Sequence, residues 1–94
     1  AIPREAARPP EDLENAERLA REATEMVRHT DYLDVHARVL EDLAEVLRIG
    51  GRPQEALVEL EQALSLNEQK GNLVSAVRTR ALLENLGRTT ATRL

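Results

Sequence analysis

The chain has 94 residues, 41% hydrophobic and 32% charged, with a formal charge of -4, which allows one small domain and excludes disorder over most of its length. It contains no Cys, Phe or Trp and one Tyr, so a disulfide framework, a thiolate metal site and a base-stacking aromatic surface are excluded. The mild negative charge gives no reason to expect nucleic acid or an anionic membrane as the main partner, and no apolar run approaches the roughly 20 residues of a membrane span.

Residues 1–10, AIPREAARPP, hold three of the four prolines and no apolar period, and read as a tail or the remnant of a linker. The absence of a legible signal peptide there makes the cytoplasm the expected location. A first helix is expected from about Pro10, with Glu11, Asp12 and Glu14 against the positive end of its dipole. Its core face is Leu13, Ala16, Ala20, Ala23 and Val27 at steps of three and four, widened by Leu19 and Met26, and it ends near His29 or Thr30. The opposite face pairs Glu14 with Arg18 and Glu17 with Arg21, acid first, the favoured order.

A second helix is expected to start with Thr30 or Asp31 as its cap. Leu33, Ala37, Leu40, Leu43, Ala44 and Leu47 form its apolar face, while Val39, Val46 and Ile49 spread around the wheel. So wide an apolar arc belongs to a helix packed between neighbours. Gly50 and Gly51 stop it, and Pro53 opens a third helix that buries Ala56, Leu57, Leu60, Ala63 and Leu64. Gly71 is a left-handed stop and Asn72 a cap for a fourth helix, whose expected core face is Leu73, Val77, Ala81, Leu83 and Leu86. The helical domain therefore spans 11–88, with a C-terminal tail over 89–94. Leu, Ala, Glu and Arg dominate and strand-forming residues are scarce, so the fold class is all-α, about four helices in antiparallel hairpins.

The chain echoes itself. NAERLAREA from Asn15 resembles EALVELEQA from Glu55, with Ala16 and Ala56, and Ala23 and Ala63, forty residues apart. LEDLA from Leu40 resembles LENLG from Leu83 forty-three residues on. An internal period in this range marks stacked helix pairs. In the central pair, Leu40, Leu43, Ala44 and Leu47 precede Gly51 at the bend, and Ala56, Leu60 and Ala63 follow it. This pattern resembles one unit of the tetratricopeptide repeat family, with Leu in place of the usual aromatics, no closing proline where Glu68 stands, and a spacing longer than the common 34 residues. It is thus similar to the long, degenerate variants, and in wording to the C-terminal repeats of large bacterial regulators that carry a cyclase or DNA-binding domain and an ATPase module. The resemblance implies a short α-solenoid serving as a non-catalytic interaction or scaffold module in signalling or transcription regulation. It also implies that a peptide would lie against Arg38, Glu41, Asp42, Glu45 and Arg48. With Glu41 and Glu45 in that face, a basic or mixed-charge segment is the expected ligand.

No chemistry competes with that reading. GGRPQE follows a helix and lacks the Lys-Ser/Thr of a phosphate loop. His29, Asp31, Asp34 and His36 are the one cluster with metal-ligating chemistry, and the acids are accounted for as caps and first-turn charges of the second helix. Ser65 and Ser75 have no positioned base. An enzyme, a cofactor and a metal are therefore not expected. The alternative function is regulation through nucleic acid or a small anion at the basic end, Arg78 to Arg93. Two hairpins leave an apolar end face, because ALLENLG looks like the start of a further first helix that ends after Gly87; a homodimer or further repeats are expected to cover it.

Overall fold

The computed structural model describes residues 10–92, backbone only for Pro10 and 89–92. Four helices run in chain order: α1 Pro10–Arg28, α2 Leu33–Ile49, α3 Pro53–Lys70 and α4 Leu73–Thr92. Among the described residues there is no strand, and no helix is long and apolar enough to cross a membrane. The expected N-terminal tail, apart from Pro10 at the start of α1, lies outside the described residues. At the other end the boundary at 88 is corrected: α4 runs unbroken through Gly87 to Thr92, one helix and not a helix that stops after Gly87.

The two glycine turns are built alike. At the end of α2 the Gly51 N–H donates to the Arg48 carbonyl and the Arg52 N–H to that of Leu47; at the end of α3 the Gly71 N–H donates to Glu68 and the Asn72 N–H to Asn67. This Schellman pairing satisfies the last carbonyls and needs a left-handed residue, supplied by Gly51 at φ 78° and Gly71 at φ 80°. Gly50, at φ -76°, carries no such requirement. The turn between α1 and α2 differs. Neither Thr30 nor Asp31 caps α2: Tyr32 holds the N-cap position without a side-chain bond. The Thr30 hydroxyl donates back to the Val27 carbonyl and accepts from the Tyr32 N–H, so it closes α1 instead.

Extensive contacts join α1 to α2, α2 to α3, and α3 to α4, with the α2–α3 contact the largest. Leu43, Ala44 and Leu47 of α2 meet Ala56 and Leu60 of α3 and Leu86 of α4, with Ala20, Leu57 and Leu83 against them. A second cluster joins Ala37 and Leu40 to Ala63, with Leu66 beside it. Ala56 and Ala63 are wholly buried; a methyl at each crossing lets two backbones approach while leucines fill the spaces on either side.

Two helix faces depart from expectation. On α1 the stripe from Leu13 to Val27 is half-buried, but Leu19 and Met26 are exposed and Thr24 takes a buried place. On α4, Leu73, Val77 and Ala81 face outward, and the inner face is Ala76, Thr79, Leu83 and Leu86. Thr24 and Thr79 sit inside at little cost because each hydroxyl is placed 2.8 Å from the carbonyl four residues earlier, Ala20 and Ser75. Leu40→Ala leaves a cavity between α2 and α3 and is expected to cost about 3 kcal/mol, against less than about 0.5 kcal/mol for Val74→Ala on the exposed side of α4. Urea unfolding of the two variants measures the difference.

Candidate functional site

Asp34, Val35, Arg38 and Val39 of α2 face Ser75 and Arg78 of α4 across the end of α3, where Asn67 forms the floor and Asn72 the rim. The groove between them has a volume of about 320 Å³. Its shape follows from the Asn72 cap, whose side-chain oxygen accepts from the Ser75 N–H at 3.3 Å and sets the start of α4 beside α2.

Of the five positions assigned to a peptide-binding face, this groove takes in Arg38 alone. Asp42, Glu45 and Arg48 are exposed farther along α2, and Glu45 and Arg48 pair with each other, which holds the Glu45 carboxyl below its ordinary range. Glu41 is turned inward: its side chain is 8% exposed, one oxygen accepts from Arg78 at 2.9 Å, and the other lies 2.6 Å from the Thr79 hydroxyl. Asn67 donates to that hydroxyl at 3.1 Å. The network Asn67–Thr79–Glu41–Arg78 thus ties α2, α3 and α4 together beneath the groove. It also neutralises the acid that had argued for a basic ligand. What the groove presents is two arginines, two asparagines and a serine around Val35 and Val39, with Asp34 as the acidic member. That set of donors suits an acidic or mixed-charge segment.

The remaining candidates are dispersed. His29, Asp31 and Asp34 are exposed and His36 is buried, and no group of three or more His, Asp or Glu among the described residues could hold a metal ion. Arg52, beside the glycine turn, is held by Glu55 and by Glu17 of α1. The basic end is partly compensated as well: Arg78 pairs with Glu41 and Arg80 with Glu68, while Arg93 lies outside the described residues. Asn67, Thr79 and the inward turn of Glu41 were missed in the sequence, where nothing distinguishes them from polar surface residues. Comparison with protein-family models, curated proteins and solved structures finds no match.

Replacing Thr79 by Val removes a donor and an acceptor from a buried network and is expected to cost about 1–3 kcal/mol in urea unfolding, more than the swap of similar shapes would by itself. A second expectation concerns His36, whose Nε2 is buried without a partner. Burial, aided by the Arg28 charge, pushes its pKa below the ordinary 6.5. Protonation therefore favours the unfolded chain, and the stability of the neutral form is complete above about pH 6.5 and is lost as pH falls below it. The carboxylates of Glu17, Glu45 and Glu55, all lowered by arginine partners, add their loss only at more acidic pH, below 4.5. A melting-temperature profile between these windows should fall with acid for the parent chain and stay flatter for His36→Leu.

Proposed function

We propose that this chain is a non-catalytic module that binds a protein or peptide partner, built as a short stack of tetratricopeptide-like hairpins. The groove between α2 and α4 carries the proposal, because it combines an apolar strip with convergent donors on rigid helices. Consecutive packing of the helices and fully buried alanines at the α2–α3 crossing support the repeat reading. A place in a larger bacterial signalling or transcription regulator rests on the sequence resemblance alone.

The ligand proposed is a short extended segment that sets an apolar side chain on Val35 and Val39 and a carboxylate against Arg38. Arg78 already spends one terminal nitrogen on Glu41 and contributes a supporting charge. A peptide array of varied charge and hydropathy, probed with the purified chain, tests this. Acidic, apolar-containing peptides should bind, and Arg38→Glu should weaken them at least about tenfold, the loss of one charge-assisted pair, without changing the melting temperature. Binding that ignores Arg38→Glu, or a preference for basic peptides, would overturn the assignment.

A further inference from the structure

Among the described residues, two outward helix faces carry exposed apolar side chains, one on α4 and one on α1. On α4, Leu73, Val74 and Val77 are 73%, 82% and 66% exposed, with Ala81 one turn further on the same side. Positions 73, 77 and 81 follow one another at single-turn steps, so these side chains form a continuous strip. Arg78, Arg80 and Arg88 belong to the same helix, against Glu84 as its one acid. Arg78 and Arg80 keep half of their side chains exposed while holding Glu41 and Glu68.

On α1, Leu19 and Met26 are 57% and 78% exposed. They alternate with half-buried Ala16 and Ala23 at steps of three, four and three, the spacing of a helix seam. This helix carries six acids, Glu11, Asp12, Glu14, Glu17, Glu22 and Glu25, against three arginines. The helix as a whole is therefore net acidic where α4 is net basic, although Glu17 is turned to Arg52 and Glu22 and Glu25 pair with Arg18 and Arg28.

We propose that copies of this chain associate head to tail, the outer face of α1 in one copy packing on the outer face of α4 in the next. Charge selects this pairing over its rivals. A symmetric contact of α4 with α4 opposes arginines to arginines, and one of α1 with α1 opposes acids to acids; only the mixed contact brings unlike signs together.

Such a contact uses different patches on the two partners, so it adds further copies instead of closing as a symmetric pair. The surface is distinct from the α2–α4 groove, and each proposal can fail without the other. Sedimentation velocity over about 10 μM to about 1 mM should give a mass that climbs past the dimer and falls back in high salt. Val77→Glu on α4 and Met26→Glu on α1 change exposed positions, so each should keep the parent's melting temperature and lose the self-association. Mixed together, the two variants should form a one-to-one complex, since each retains the face that the other lacks. A parent chain that stays monomeric, an assembly that stops at a dimer, or a mixture of variants that stays monomeric would overturn the proposal. Peptide binding in the groove should be unchanged in Val77→Glu, which separates the two functions.

Discussion

The close approach of α2 and α3 is the contact on which the other helices depend. A chain without Phe or Trp must bury apolar surface with Leu, Val and Ala, and short side chains reach native packing density only when backbones come near one another. Ala37, Ala44, Ala56 and Ala63 allow that approach, and Leu40, Leu43, Leu47 and Leu60 occupy the spaces it leaves. The Schellman turn at Gly51 joins the two helices with its carbonyls satisfied, so the pair is held by geometry as well as by burial. α1 and α4 then pack on either side of this pair.

Polar groups decide where α4 sits. Apolarity alone would turn Leu73, Val77 and Ala81 inward. The Asn72 cap, the Thr79 hydroxyl between Asn67 and Glu41, and Leu83 with Leu86 on the same side favour the opposite rotation. An unpaired Asn67 or Glu41 in that place would lose more than the exposed Leu and Val residues forgo. The same choice creates two surfaces at once: a groove bounded by α2 and α4, and an apolar strip on the outside of α4. α1 is fastened differently, with Ala20 on the core and Arg52 linking Glu17 to Glu55 across the glycine turn. Those ion pairs are largely exposed and contribute orientation more than stability.

Much of the architecture was legible because local signals agreed with one another. Pro53 after Gly51, Gly71 before Asn72, and the three-four spacing of α2 and α3 each point to the same boundaries and the same buried faces. The reading failed where a residue's environment mattered more than its type. Thr24 and Thr79 look polar in the sequence yet enter the core by bonding their own helix. Glu41 looked like part of a solvent-facing acidic patch, and its partners Arg78 and Thr79 are thirty-seven and thirty-eight residues away. No periodicity within α2 carries that information.

Composition and spacing by themselves determined an all-α chain, its four helices and its small-residue crossing, because helix formation, capping and one-sided burial are set by residues within a few turns of one another. Which face of α4 points inward, which charges are neutralised, and where a groove opens were decided only by the tertiary structure. Those outcomes depend on the desolvation and pairing of groups far apart in the chain, and such energies arise only once the helices are brought together.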